Sequence, residues 1–211
     1  AMEMTASQTV RRDVDPEYLP EGHPASQHRA GAGRVDAKAA IDAGLIMNET
    51  VANFKLANPT TGGDVRQLNL PQLVNSNCRA GVCSWVRTVT ATRDGNWTLS
   101  ADTWVYDRWT STVDGEINMH NAKMEFFPAS FSLKAGESQH IVVKANIADI
   151  QAQYNSLLPG TGNSMEGLEL WTNVNLIASD PTIPAAHWPV SVNFDRQGLP
   201  EAVNVTVNRD K

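Results

Sequence analysis

The sequence predicts a mainly β protein whose main domain is a β-sandwich. From residue 48 onward, short segments with alternating apolar and polar residues follow one another closely. Alternation with period two is typical of strands that bury one face, because successive side chains point to opposite sides. Clusters of Asn, Pro and Gly separate the segments, and no long helices alternate with them. This organisation favours two packed antiparallel sheets over a parallel α/β sheet.

The strongest strand pattern lies in residues 78–105. Two extended segments, 85–92 and 97–106, flank Asp94 and Gly95. This dipeptide suits the two-residue turn of a β-hairpin, since both residue types tolerate a positive φ. We therefore expect the two segments to pair as neighbouring antiparallel strands.

Trp85 and Trp97 fall on the apolar faces of these two segments, and Arg87 interrupts the first face. Aromatic side chains at such positions bury large apolar areas. We expect both tryptophans in the core.

Cys78 and Cys83 are the only cysteines of the chain, and four residues separate them. Because no pair of histidines lies nearby, the spacing favours a disulfide over a metal site. A disulfide would hold the entry to the first strand, and it favours an extracellular or periplasmic location because cytosolic thiols are kept reduced. Two free thiols in the cytosol are the alternative.

Composition limits the partners of this 211-residue chain. It carries 17 Lys and Arg against 23 Asp and Glu, a formal net charge of −6. Nucleic-acid binding requires a basic surface, so we expect no such partner. No apolar run approaches the roughly 20 residues that a membrane span requires.

Residues 1–47 differ in character from the strand series that follows. Residues 36–43 have the pattern of a helix, with Asp36 as N-cap, a run of alanines, and Gly44 placed to end it. A face of small side chains at helical spacing should lie against a large neighbour, and nothing upstream in the chain is large enough to be one. This face comprises Ala37, Ala40, Ile41 and Gly44.

The remaining strands are predicted from the same alternation, with one short helix at 149–158 inside the series. They are residues 51–56, 65–70, 116–119, 123–127, 139–147, 168–178, 188–194 and 202–207.

The segment GAGRVDAKAAIDAGL, residues 31–45, resembles the closing turn and last helix of subtilisin-like serine peptidase domains (subtilases). In that family a G-x-G-x-V-D or G-x-G-x-V-N segment enters an Ala-rich helix near the end of the catalytic domain. Met4, Thr5 and Ala6 resemble the step that follows the helix carrying the catalytic serine. The resemblance implies that residues 1–47 are the tail of a subtilase catalytic domain.

A second resemblance covers most of residues 64–194. The segment FSLKAGES, residues 131–138, resembles an edge of fibronectin type III-like domains, in which an apolar pair enters an AGE turn. Further parts resemble the fibronectin type III-like domain that follows the catalytic domain in secreted bacterial subtilases. The resemblance implies that residues 48–211 form a fibronectin type III or immunoglobulin-like β-sandwich. These further parts are residues 68–71, 83–85, 87–90, 167–170 and 187–190.

The family hydrolyses peptide bonds with a serine nucleophile, a histidine base and an aspartate. None of the family's motifs for these residues occurs here, and the one echo, Ser164-Met165, lacks the flanking Thr, Ala and Pro. We therefore assign no catalytic residue. The resemblance implies a secreted, noncatalytic region that packs on and stabilises the catalytic domain of the same polypeptide, or shapes the access of protein substrates to it.

Two other functions stay open at this point. A free-standing adhesion or carbohydrate-binding sandwich would use exposed tryptophans, for which the candidates are Trp104, Trp109 and Trp171. Core or loop-anchoring positions are the favoured interpretation of the same tryptophans. An independent enzyme is the third reading, but the sequence offers no constellation of acid, base and nucleophile.

Asp13, Asp15 and Glu17 are the only metal candidates. Three carboxylates within five residues suit a calcium ion, which prefers several oxygen ligands. An ordinary solvated acidic turn is the favoured interpretation of the same residues, and no other cofactor is expected.

Overall fold

The computed structural model describes residues 1–12, 23–25, 27–79, 81–109, 114–150, 153 and 169–195. Two sheets pack face to face around one core, which confirms the predicted mainly β sandwich. The helical segments are α1 Gln27–Ala30, α2 Ala37–Ile41, α3 Val51–Leu56 and two 3-10 helices, Pro59–Thr61 and Val65–Gln67. None of the described helices is long and apolar enough to cross a membrane.

The strands are β1 Arg11–Arg12, β2 His23–Pro24, β3 Leu45–Ile46, β4 Leu73–Arg79, β5 Val82–Ala91, β6 Gly95–Ala101, β7 Trp104–Trp109, β8 Asp114–Met119, β9 Lys123–Phe127, β10 Ser130–Leu133, β11 Ser138–Asn146, β12 Glu169–Ala178 and β13 Ala186–Asp195. The larger sheet has the order β10-β6-β12-β13-β4, and β7 also pairs with β12 while β8 pairs with β7. The smaller sheet has the order β3-β5-β11-β9. All pairs are antiparallel except β13 with β4.

Each sheet turns its alternate side chains into the shared core. Along β5 every second residue is buried, from Cys83 to Ala91, and along β12 the buried series runs from Leu170 to Leu176. Trp85 and Trp97 are 3% and 2% exposed, so both lie in the core as predicted. The period-two pattern in the sequence therefore reports the side chains that fill the space between the sheets.

The predicted hairpin around Asp94 and Gly95 is wrong. Strands β5 and β6 do not pair with each other: β5 pairs with β11 in the smaller sheet, and β6 pairs with β10 and β12 in the larger one. The turn therefore connects the two sheets. Gly95 is not among the described glycines with positive φ, and a Cβ there would collide with the indole of Trp97. Close packing, not a left-handed backbone, accounts for glycine at this position.

Two predicted strands, 51–56 and 65–70, are also wrong, since they contain α3 and a 3-10 helix. In each case the residue before the helix caps it. Thr50 Oγ1 accepts a hydrogen bond from the Asn53 N–H at 3.1 Å, and Asp64 Oδ1 accepts one from the Arg66 N–H at 2.9 Å. Such caps satisfy backbone groups that helix termini otherwise leave unpaired.

Other elements follow the predictions more closely. The predicted strand at 123–127 has the same bounds as β9, and the predicted strands at 139–147, 168–178 and 188–194 correspond to β11, β12 and β13. Strand β4 was not predicted. The predicted strand at 202–207 lies outside the described residues, as does most of the predicted helix at 149–158.

Candidate functional site

The N-terminal tail, residues 1–47, is attached to the sandwich near both of its ends. Met4 and Leu45 are 0% and 1% exposed and belong to the same core as the two sheets. Leu45 pairs with Ala91 as part of β3, at the edge of the smaller sheet. The tail thus contributes side chains and one short strand to the fold.

His187, on the outer side of β13, holds further parts of the tail. Its backbone N–H donates to the Met4 carbonyl at 2.8 Å, and its Nε2 lies 3.0 Å from the Ala32 carbonyl oxygen. Burial lowers the pKa of the imidazole, and the Ala32 carbonyl and the charge of Asp102 oppose this change only in part. The neutral imidazole is therefore the form that fits the docked tail.

Gly44 lies where the tail comes closest to the core. A Cβ at this position would meet Ile183 Cγ2 at 2.5 Å and Trp97 Cζ2 at 3.2 Å. The sequence predicted Gly44 as the residue that ends the helix, whereas α2 ends at Ile41 with Asp42 as its C-cap. Glycine is required here by close packing of the backbone on two core side chains.

Helix α2 itself is uncovered, although the chain on either side of it is anchored. Asp36 caps it as predicted, with Oδ1 accepting from the Ala39 N–H at 2.9 Å. None of the residues in α2 is buried, and Ile41 and the preceding Val35 are 83% and 62% exposed. Of the small-residue face predicted from the sequence, Ala37, Ala40 and Ile41 are not buried, whereas Gly44 packs against the core. We call Val35, Ala37, Ala40 and Ile41 the α2 face.

The tryptophans do not form the aromatic surface considered from the sequence. Trp104 is 1% exposed, so its assignment to an exposed ligand surface is wrong. The register pairs Leu170 with Tyr106 and Trp171 with Val105, which places Trp104 and Trp171 on opposite faces of the larger sheet. Trp171 is half-buried on the outer face. The side chain of Trp109 lies outside the described residues.

Cys78 and Cys83 form the predicted disulfide, with their Cα atoms 5.4 Å apart. The bond joins the end of β4 to the start of β5, so it ties the larger sheet to the smaller one. Asp13, Asp15 and Glu17, the calcium candidates, and Ser164 lie outside the described residues.

Arg87 is the residue whose importance the sequence reasoning missed. It is 2% exposed and points into the core from β5. Its Nε donates to the Leu70 carbonyl at 2.7 Å, Nη1 to the carbonyls of Arg66 and Val86 at 3.0 and 2.9 Å, and Nη2 to the Gln72 carbonyl at 2.9 Å. The sequence feature that could have indicated this role is a single charged residue on an otherwise apolar strand face.

A solvent-open cavity of about 800 Å³ lies beside Arg87, between the 3-10 helix Val65–Gln67 and the start of β4. Desolvation in this position lowers the pKa of Arg87 to about 10, while the charge of Glu49 acts in the opposite direction. The guanidinium therefore stays charged at neutral pH.

The geometry defines the class of the protein as a mainly β sandwich of two packed sheets. Among solved structures it is similar to the ASH/PapD-like domain 7 of human CEP192, at 10% identity and a TM-score of 0.41, over 59% of this chain and 81% of that one. It is also similar to the secreted serine protease VesC from Vibrio cholerae, at 11% identity and a TM-score of 0.32, over 57% of this chain and 21% of the protease. The Pseudomonas aeruginosa CupB2 chaperone is similar at 8% identity and a TM-score of 0.32, over 59% of this chain and 53% of that one.

At these identities and TM-scores the likenesses carry no statement about function. The chain spans about a fifth of the length of the protease and about half of the chaperone. No protein-family description and no curated protein matches the sequence.

Proposed function

We propose that this protein is a noncatalytic region of a secreted subtilisin-like serine endopeptidase, in which the β-sandwich packs on the catalytic domain and stabilises it. The parent activity is peptide-bond hydrolysis, and this chain carries none of the family's three catalytic motifs. The proposal rests on the resemblance of residues 31–45 to the closing helix of subtilase domains, together with the open α2 face.

The α2 face is the observation that carries the proposal. The anchored residues Met4 and Leu45 hold the tail on the sandwich, yet Ile41 between them stays 83% exposed. Leaving such side chains in water forgoes about 1.5–3 kcal/mol of burial free energy for each large apolar residue. In the proposed assembly the catalytic domain covers this face.

The disulfide between Cys78 and Cys83 supports a secreted or periplasmic location, because such bonds persist in oxidising compartments. Within the same proposal, Asp13, Asp15 and Glu17 are a candidate calcium loop of the peptidase tail. The partners are the catalytic domain of the same polypeptide and, through it, protein substrates.

The test uses the longer polypeptide encoded with this chain. We expect it to carry a G-T-S-M-A serine motif upstream, to cleave casein, and to be labelled by a fluorophosphonate, whereas the 211-residue chain alone is not labelled. Ile41→Lys should lower the temperature at which the peptidase loses activity. Val86→Lys is the matched control, since Val86 is an exposed apolar residue on the outer face of β5, at 57% exposure.

A reading frame without a peptidase domain, or equal effects of Ile41→Lys and Val86→Lys, would contradict the proposal. The alternative, a glycan-binding sandwich, predicts instead that the 211-residue chain binds immobilised polysaccharide and that Trp171→Ala abolishes this binding.

A further inference from the structure

Arg87 is a buried cation without a carboxylate partner in the described part of the chain. Its four hydrogen bonds all go to main-chain carbonyls, which carry no net charge. No described carboxylate oxygen lies within 4.0 Å of its nitrogens, the limit for an ion pair, and Glu49 acts on Arg87 only through its charge at longer range. Buried charges in proteins are usually paired, because removing a charge from water is costly.

The nearby carboxylates are engaged elsewhere. Asp64, in the cavity wall, makes two-pronged contacts with Arg66, the shortest at 2.7 Å between Nη2 and Oδ2. Glu49 accepts hydrogen bonds from the Asn69 N–H, the Thr50 N–H and Asn53 Nδ2. Neither makes an ion pair with Arg87, although the charge of Glu49 acts on it from a distance.

Arg87 also has a donor to spare. A guanidinium has five N–H groups, and the structure supplies acceptors among the described residues for four of them. The remaining N–H belongs to Nη2. The other N–H of Nη2 donates to the Gln72 carbonyl. A carboxylate would accept from this donor and also place a counter-charge in direct contact with Arg87, which a neutral ligand cannot do.

The cavity beside Arg87 combines this cation with a wall that is partly apolar and partly polar. Its volume of about 800 Å³ falls in the range typical of small-molecule sites, which are mostly apolar with a few polar groups that fix orientation. The apolar part of the wall comprises Val65, Leu68, Leu70 and Val74, and the polar part comprises Asp64, Arg66, Gln72, Asn75, Ser76 and Arg87.

We propose that this cavity binds a carboxylate carried on an apolar body, with the carboxylate at Arg87 and the apolar body against the apolar part of the wall. The ligand is either a free aliphatic or aromatic acid or the carboxyl terminus of a peptide with an apolar last residue. The proposal is independent of the proposed link to a peptidase, because it rests only on Arg87 and its cavity.

The test measures the melting temperature Tm and isothermal titration of the 211-residue chain with 3-phenylpropionate, with 3-phenylpropanol as the neutral control. Ligand at ten times its Kd should raise Tm by about 3–5 °C. The alcohol should raise it by less than a third of that. Acetyl-Ala-Ala-Leu with a free carboxyl terminus distinguishes the two sources of the carboxylate, and the same peptide with an amidated terminus is its control. Tighter binding of the free-acid peptide than of 3-phenylpropionate assigns the site to peptide termini. Tighter binding of 3-phenylpropionate assigns it to small acids.

Ser76→Trp is the blocking variant, because Ser76 lines the cavity and takes no part in the hydrogen bonds of Arg87. Ser84→Trp is the matched control, an exposed serine on β5 outside the cavity wall. We expect Ser76→Trp to weaken binding at least tenfold and Ser84→Trp to leave it unchanged. Equal shifts with acid and alcohol, no binding of either acid at 20 mM, or undiminished binding by Ser76→Trp would overturn the proposal.

Discussion

Leu45→Ala tests whether the N-terminal tail is part of the sandwich's cooperative core. Leu45 is 1% exposed, pairs with Ala91, and lies in one apolar cluster with both sheets. Replacing a fully buried leucine removes its burial free energy and leaves a cavity, at a cost of about 2–5 kcal/mol. Because β3 lies at a sheet edge, where neighbours can partly relax, we expect about 3 kcal/mol.

The free energy of unfolding is measured by urea titration followed by tryptophan fluorescence. A loss of about 3 kcal/mol corresponds to a fall in Tm of about 6–12 °C for a chain of this length. Ile41→Ala is the control within the same tail, since Ile41 is 83% exposed and should change the free energy of unfolding by less than about 0.5 kcal/mol.

A loss below about 1 kcal/mol for Leu45→Ala, with an unchanged urea dependence, would refute this account of the tail. The tail would then be a loosely attached segment that unfolds separately from the two sheets. A reduced urea dependence together with two transitions would lead to the same conclusion, because two-state unfolding of one core predicts a single transition.

Three further predictions concern the contacts around this core. The pKa of His187 is lower in the folded chain than in the unfolded chain, so the unfolded chain binds a proton more readily. The free energy of unfolding should therefore fall as pH drops below about 6.5. His187→Gln should flatten the pH dependence of Tm between 5 and 7. Gly44→Ala should cost about 1–3 kcal/mol in urea titration, because the new methyl group meets Ile183, and an unchanged free energy would disprove that contact. Replacing Cys78 and Cys83 by serine should cost about 2 kcal/mol in the chain-entropy view of so short a loop, and reduction of the native chain should match it.

The sequence predicted which residues lie in the core better than it predicted how strands pair. Alternation placed Trp85 and Trp97 correctly, because burial on one face is a local property of each strand. Pairing is not local. Asp94 and Gly95 suit a hairpin, but β5 and β6 each find other partners, since the apolar faces of both strands are covered only when they belong to opposing sheets. Turn chemistry alone does not distinguish a hairpin from a connection between sheets.

The helix α3 shows how a cap can outweigh strand propensity. Residues 51–56 are rich in apolar side chains, which suggested a strand, yet none of them is buried. Because they are not buried, the apolar side chains contribute little to the free-energy difference between strand and helix. The hydrogen bond from the Asn53 N–H to Thr50 Oγ1 then favours the helix. Intrinsic β preference largely reflects packing, so it has little force at an exposed position.

Arg87 could not have been assigned from sequence, although its position was conspicuous. An arginine on an apolar strand face predicts either an exposed edge or a buried charge, and only the fold decides between them. Here the partners are backbone carbonyls at residues 66, 70 and 72, in a segment whose path the strand pattern did not predict. The hydrogen bonds from Arg87 hold that segment in place, at the cost of burying a charged group. The conformation of the segment and the shape of the cavity beside it therefore depend on this one guanidinium. A site built in this way should respond to the charge of whatever enters it.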